Sequence, residues 1–575
     1  MGLPMAEQHA RKRSRVRTAL APYSPLARLE VADVVGAEPA EAYRMRAKLV
    51  VSRDRAIGLY TREGHEVVDI PGCQVLSPAL LTVAAGLREL LPPGAAQLFG
   101  VDLREVQDEA GPGVLVTLIG PPEARAAVNE LVGRVGALPA VLGVAWSERA
   151  ADSAQMLGRT PEPLAGEAVV RDRLEPAGPY HYAAHGGFAQ AHRGQAARLA
   201  RQIEQQLTAA LGTLEGARVL ELYAGAGALA LRLAQLGARP LLVERFEPAL
   251  AQASRAAREQ GFPELRTRVA DAEVALAELV AQRERFDAVV VNPPRRGLSP
   301  AVRARLAELA PRALVYVSCD PDTLARDLTD LAQRGLAART LTPYDMMPLA
   351  GDVESLVLLQ PAAPTPLPIL YEDDELLAVD KPPHLPTIPG REHAQSVLVL
   401  LQSQRALPAL HAVHRLDLGT SGICLFVKQP GAVAGWSKAL AAGQKHYLAL
   451  VRGRAHEKGI IKTPLAEDGA LRAATTRYSR VQSLGGHSLV RARPVQGRTH
   501  QVRRHLAAIG HPVLGDARHG DLRSNRHFEH RHALDRTFLH LSKIELVHPR
   551  SGEPLTLTSE LAPDLAAVVE RLRRT

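Results

Sequence analysis

Cysteine is almost missing from this chain. Three in 575 residues, Cys73, Cys319 and Cys424, are too few for a disulfide framework or a four-thiolate metal site. This excludes the disulfide-stapled secreted classes and leads us to expect a reducing, cytoplasmic setting. Long apolar runs are missing too. No stretch of about 18 apolar residues offers a membrane span, and the N-terminus has no apolar signal core, so no membrane partner is expected. Lysine is scarce: before Lys381 only Lys12 and Lys48 occur, and the basic charge is nearly all Arg. Net charge is +9 and the pI about 9.6. That excess favours polyanions such as nucleic acid, and the planar fork of Arg suits phosphate. A genome biased toward Arg yields the same composition, so charge alone does not choose.

At this length the chain makes roughly three or four domains. With 46% hydrophobic and 23% charged residues and no biased tract, it reads as globular throughout. Residues 1–30, with the basic run Arg11 to Arg17, read as a disordered leader. Residues 31–165 alternate short apolar runs with Gly/Pro turns, as in an α+β module. A strand over Tyr43 to Lys48 places Arg44, Arg46 and Lys48 on one face, either a solvated face or an RNA contact. Over 166–360 strands alternate with helices, seven strands in all, which predicts a doubly wound, mostly parallel α/β sheet. Four prolines in 361–368 make a stiff linker. Residues 369–575 lose the alternation and read as a second α+β domain with a largely antiparallel sheet.

Within the α/β segment, Leu222-Tyr223-Ala-Gly225-Ala-Gly227 joins a strand to a helix. Glycines there let a ligand approach the backbone, and Glu244, at the end of the next strand, suits a ribose hydroxyl. This half-site fits NAD or S-adenosylmethionine equally. Two further apolar strands deliver Asn292-Pro-Pro-Arg-Arg-Gly297 and Ser318-Cys319-Asp320 to one sheet edge. Hydride transfer needs no cysteine there. Methylation of uracil C5 does, because that carbon is a weak nucleophile until a thiolate adds at C6.

Residues ~40–360 resemble the TrmA/RlmC/RlmD family of RNA uracil-5-methyltransferases. The residues that carry the resemblance are Asn292 to Gly297, Ser318-Cys319, and Asp345-Met-Met-Pro348 followed by Asp352-Val-Glu354. The resemblance implies Cys319 as nucleophile and Glu354 as base. It also implies S-adenosylmethionine as cofactor, contacted by Gln190, Tyr223, Gly225, Gly227, Glu244 and Asn292. His192, Ala224, Met347 and Asp352 depart from the family pattern. Iron–sulfur members carry four cysteines, of which only Cys73 has a counterpart here. One thiolate cannot hold a cluster, so none is expected, and Cys73 is read as a small buried residue.

Further on come His414-Arg415-Leu416-Asp417, Lys445-His-Tyr447 and Gly497-Arg-Thr-His-Gln-Val-Arg503. Taken alone these are an acid, a phenol and an Arg on three separate elements, and Asp417 could be a turn cap. Their order and spacing resemble the RluA family of pseudouridine synthases, and Gly515 to Arg526 is similar to its TruC branch. The resemblance implies Asp417 as nucleophile, Arg503 as its ion-pair partner and Tyr447 as the ring against the flipped uracil, with no cofactor. The expectation is a bifunctional RNA-modification enzyme acting on tRNA or rRNA, with no metal and no obligate protein partner. Its rival is a synthase whose degenerate methyltransferase half only binds RNA.

Overall fold

A computed structural model describes residues 3–574 apart from 27, 53, 55, 62–63, 65, 92–97, 151–152, 154–155, 159, 363–365, 391–395 and 468. The chain opens with helix α1 (Met5–Leu20), where a disordered leader was expected. Gln8, Lys12, Val16, Ala19 and Leu20 recur at helical spacing and are buried as one stripe. Lys12 Nζ donates to the Asp345 carboxylate and, at 3.0 Å, to the Met347 carbonyl. A buried ammonium is tolerated because it is paired. Its partner lies 333 residues away, out of reach of any local pattern.

The first sheet contains β1 (Arg46–Val51), β2 (Ile57–Tyr60), β3 (Val67–Asp69), β4 (Gly100–Asp108), β5 (Gly111–Gly120), β6 (Val141–Glu148) and β7 (Glu162–Gly166). They lie in the order β3-β2-β1-β4-β5-β6-β7. Helices α2 (Pro78–Leu90) and α3 (Arg125–Gly136) pack their apolar stripes on it around Leu80, Val83, Val101 and Val116. Arg46 is not a solvated cation: it pairs at 2.7 Å with Asp102, which is 2% exposed.

A ribbon of β8 (Val169–Arg173) and β9 (Tyr180–Ala184), then α4 (Arg193–Leu211), lead into the second sheet. There β10 (Arg218–Leu222), α5 (Ala228–Gln235), β11 (Arg239–Glu244), α6 (Glu247–Glu259), β12 (Arg266–Val269), α7 (Ala272–Ala281), β13 (Ala288–Val291), α8 (Pro300–Leu309), β14 (Ala313–Ser318) and α9 (Pro321–Gln333) alternate. The last two strands are β15 (Leu336–Tyr344) and β16 (Glu354–Pro361), and the order is β12-β11-β10-β13-β14-β16-β15. Strands β10 to β14 are parallel and β16 is antiparallel between β14 and β15. The continuous apolar runs of β13 and β14 are buried because helices cover both faces.

The third sheet is built from β17 (Ile369–Glu372), β18 (Leu376–Lys381), β19 (His411–Ala412), β20 (Ser421–Val427), β21 (Gln444–Val451) and β22 (Lys458–Ile461). After a small hairpin, β23 (Leu465–Glu467) and β24 (Ala470–Arg472), it adds β25 (Thr476–Leu484), β26 (His487–Pro494), β27 (Leu539–Val547) and β28 (Pro554–Thr558). Only β20 and β27 pair in parallel among its described strands. Helices α10 (Val397–Arg405), α11 (Val433–Ala442), α12 (Gln501–Ala508), α13 (Leu522–His532) and α14 (Pro563–Arg574) flank it. Of the expected linker, residues 363–365 lie outside the described residues, and Leu367 packs into a core.

The second and third sheets belong to segments that are docked on one another through buried charge. Arg303 on α8 is fully buried. It bonds Asp327 and Asp330 of α9 at 2.7 Å each, and Asp535, past α13, at 3.1 Å. Arg334 donates to the His384 carbonyl at 2.9 Å. Among the described residues no helix is long and apolar enough to cross a membrane.

Candidate active sites

Cys319 lies in the turn between β14 and α9. Asp320 caps α9, accepting from Asp322 N at 3.0 Å and Thr323 N at 2.9 Å, and this holds the turn. The antiparallel register pairs Ser318 with Ser355, so the next pair along the ladder brings Glu354 opposite Cys319. Glu354 is 8% exposed, and burial raises its carboxyl to about 7. Burial, with the negative Glu354 beside it, pushes the Cys319 thiol up to about 11. The resting group is therefore a thiol beside a half-ionised carboxyl near neutral pH.

Arg295 of the Asn292–Gly297 loop lies close enough for its charge to act on both. Gly297 has φ +74°, and a Cβ there would lie 2.5 Å from Asp327 Oδ2, so only glycine fits. Helix α9 grips the loop: Leu298 N donates to Asp327 at 2.7 Å, Arg326 to the Arg296 carbonyl at 2.9 Å and Thr323 to the Arg295 carbonyl at 3.1 Å. Asp352, one of the departures, pairs with Arg295 at 2.9 Å.

Beside the loop is a cavity of about 710 Å³ lined by Phe188, Tyr223, Glu244, Asp271, Arg295 and Arg296, among others. The Glu244 carboxylate is held by Gly225 N at 3.3 Å, Arg245 N at 2.9 Å and Phe246 N at 3.1 Å. Tyr223 sits at φ +61°, a strained backbone for a non-glycine residue, and burial drives its phenol upward. A Cβ on Gly225 would meet nothing within 4 Å, so the turn leaves open space. One on Gly227 would strike Leu242 at 2.7 Å, so that glycine serves packing of helix on strand. Gln190, Gly225, Gly227 and Asn292 do not line this cavity. Asp271 does, and sequence reasoning missed it because an Asp opening a helix is ordinarily only a cap. His192 is buried structure: it caps α4, stacks on Tyr43 at 5.0 Å and bonds the Pro39 carbonyl at 3.0 Å. Cys73 is half-buried against the core of the first sheet.

The second site is a cavity of about 1270 Å³ lined by Asp417, Lys445, Tyr447, Arg498, His500 and Arg503 among others. Arg503 Nη1 donates to Asp417 at 2.7 Å, and its Nε and Nη2 form a fork on Asp516, also at 2.7 Å each. Asp516 is fully buried and accepts from Arg518 N and His519 N at 3.0 Å. His500 Nε2 lies 3.7 Å from Asp417. Burial of Tyr447 on β21 raises its phenol, and burial of Lys445 lowers its ammonium. Asp417, Tyr447 and Arg503, expected from three separate motifs, share this one cavity. Asp516 was missed as a partner of Arg503. So was Lys381, whose buried ammonium, lowered to about 7, braces the Asp417 turn through the Leu418 carbonyl at 3.4 Å. Among the described residues no three His, Cys, Asp or Glu are grouped to hold a metal.

Comparison with known proteins assigns both halves. Residues 180–362 match the family tRNA (Uracil-5-)-methyltransferase, and residues 375–508 match RNA pseudouridylate synthase. The chain is 32% identical over 252 residues to the ribosomal large subunit pseudouridine synthase C of Haemophilus ducreyi, covering 40% of this chain and 76% of that one. It is 34% identical over 220 residues to the tRNA pseudouridine synthase C of Pectobacterium carotovorum, covering 34% of this chain and 58% of that relative. An uncharacterized RNA methyltransferase of Geobacter sulfurreducens is 29% identical over 367 residues, covering 60% of this chain and 72% of that one. The chain belongs to the RNA pseudouridylate synthase family through its C-terminal part, and joins to it a tRNA (uracil-5-)-methyltransferase domain, two kinds of RNA-modifying enzyme in one polypeptide.

Proposed function

We propose that this chain methylates one uridine at C5 and isomerises another to pseudouridine in structured RNA, in a cytoplasmic setting. The observation that carries the reading is that each half brings together the side chains its reaction would use. Glu354 lies one step past the Ser318–Ser355 pair, close enough for its charge to act on Cys319, and Asp417 is bonded to Arg503 beside Tyr447.

S-adenosylmethionine would sit by the open turn at Gly225, its hydroxyl and ammonium groups suited to the acid pair Glu244 and Asp271, and would supply an electrophilic methyl group. The Cys319 thiol gives its proton to solvent as Sγ bonds uracil C6, and the C5–C6 electron pair moves onto O4. C5 then takes the methyl group. Glu354 removes the C5 proton, the double bond re-forms and Sγ leaves. A carboxyl raised to about 7 is matched to that proton transfer near neutral pH.

In the second site the uridine must leave its stack, since its glycosidic bond and C5 are otherwise out of reach. The Asp417 carboxylate attacks either C1′ or the base and is released when the product forms, Arg503 aims it through the 2.7 Å bond, and Tyr447 walls the base. The C1′–N1 bond breaks, C1′ bonds C5, the C5 proton leaves and N1 gains one.

The test is nucleoside mass spectrometry of tRNA and rRNA from a deletion strain complemented with variants. Cys319→Ala should lose only 5-methyluridine, and Asp417→Asn only pseudouridine. Loss of both products from either substitution overturns the two-site reading.

A further inference from the structure

The methyltransferase cavity is not built by its own half alone. Beside Arg295 and Arg296 its lining includes His530 of α13, a helix that belongs to the synthase segment. The same segment reaches the catalytic loop from behind. Asp535 contacts Arg303 at 3.1 Å and Arg326 at 3.5 Å. Arg326 also accepts no freedom from the other side: it donates to the Ala533 carbonyl at 3.1 Å and to the Arg296 carbonyl at 2.9 Å. The loop flanking Cys319 therefore rests on residues more than 200 positions later in sequence.

Helix α13 also has a free basic face. Arg523, Arg526, His527 and His530 are exposed at spacings of three and four residues, so they form one stripe. Among the described residues the side chains of Arg526 and His530 make no hydrogen bond or ion pair, and Arg523 stands near Asp521 at the start of the helix. At the other end of the helix, Asn525 is tied to Gly515 N at 2.8 Å and to the Asp516 carbonyl at 2.9 Å, and Asp516 holds Arg503. At 1.5 Å per residue α13 spans about 16 Å. It runs from the support of one site to the wall of the other.

The cavity is divided by charge. Glu244 and Asp271 make one side acidic, and Arg295 and Arg296 make the other cationic, with the imidazole of His530 beside them. An RNA phosphate fits the cationic side, and successive phosphates fit the stripe beyond it. Resting on the function proposed above, we infer that α13 of the synthase half is the RNA-binding rim of the methyltransferase site, with His530 and Arg526 contacting the backbone of the strand whose uridine reaches Cys319.

The full-length chain carrying Arg526→Glu and His530→Glu tests this, with bulk RNA from a strain lacking the chain as substrate. Both side chains are exposed, so folding is preserved. The RNA concentration for half-maximal methylation should rise about tenfold, with little change at saturating RNA, and the salt dependence of RNA binding should weaken. Arg526→Lys with His530→Arg should stay near the parent. A charge-reversed chain with unaltered RNA dependence overturns the inference and leaves the proposed function standing. Ultraviolet cross-linking of RNA to α13 in a chain that methylates nothing overturns that function, and with it the assignment of α13 to a methylation site.

Discussion

Arg503 holds two carboxylates at once: Asp417 through one nitrogen at 2.7 Å, and Asp516 through a two-pronged fork at 2.7 Å on each prong. The second pair fixes the guanidinium plane and so sets where the first can point. Asp516 touches the reacting groups only through Arg503, which makes it a positioning residue.

Asp516→Asn should therefore lower pseudouridine formation by about 100-fold, the scale of loss from a misplacement near 1 Å. Steady-state kinetics should place the loss in kcat rather than in KM for RNA. Methylation by the same preparation reports whether the fold survives.

On the proposed mechanism Glu354 makes methylation depend on pH. Its carboxyl is raised to about 7 by burial, and the base form is the ionised one. Where release of the C5 proton limits turnover, methylation at saturating substrates should rise with pH through about 7, while pseudouridine formation should not follow that curve. Glu354→Gln should stall the reaction after methyl transfer, when the C5 proton cannot leave. A protein–RNA adduct that survives a denaturing gel is the measured sign, and its absence would remove Glu354 from this role.

Arg303 is fully buried among Asp327, Asp330 and Asp535. Arg303→Met takes from three buried carboxylates the one cation they share, leaving Asp327 and Asp535 to Arg326 and Asp330 to Arg334, and breaking buried pairs in this way costs about 3–5 kcal/mol. Chemical denaturation should report the loss. Because Asp535 lies past α13, docking of the synthase segment should loosen too, seen as faster hydrogen exchange in α8 and α13.

Acid should destabilise the fold before carboxylates protonate. His181 and His540 are both lowered to about 4 by burial from an ordinary 6.5. Between those values the unfolded chain binds protons that the native chain refuses, so stability falls as pH drops from 6.5 to 4. His540 is wedged between Ser421 at 3.0 Å and Ser559 at 3.1 Å. Replacing it with Gln should flatten the pH dependence of thermal unfolding over that range.

Much of the molecule is legible in the chain alone. The apolar runs Ala288–Val291 and Ala313–Ser318 become adjacent buried strands because such runs have no other stable place. The parallel alternation from Arg218 onward follows from local periodicity, and the motifs around Cys319 and Asp417 point to the two candidate sites. What the tertiary structure alone decided involves partners far apart in sequence. Lys12 turned an expected leader into a docked helix by reaching Asp345. Asp516 became the brace of Arg503, and His530 joined the wall of a cavity built by the other half. Periodicity and motif spacing are set by neighbouring residues and can be read along the chain. A buried charge finds its counterion wherever the fold delivers one, and desolvation enforces the match only once the chain is packed.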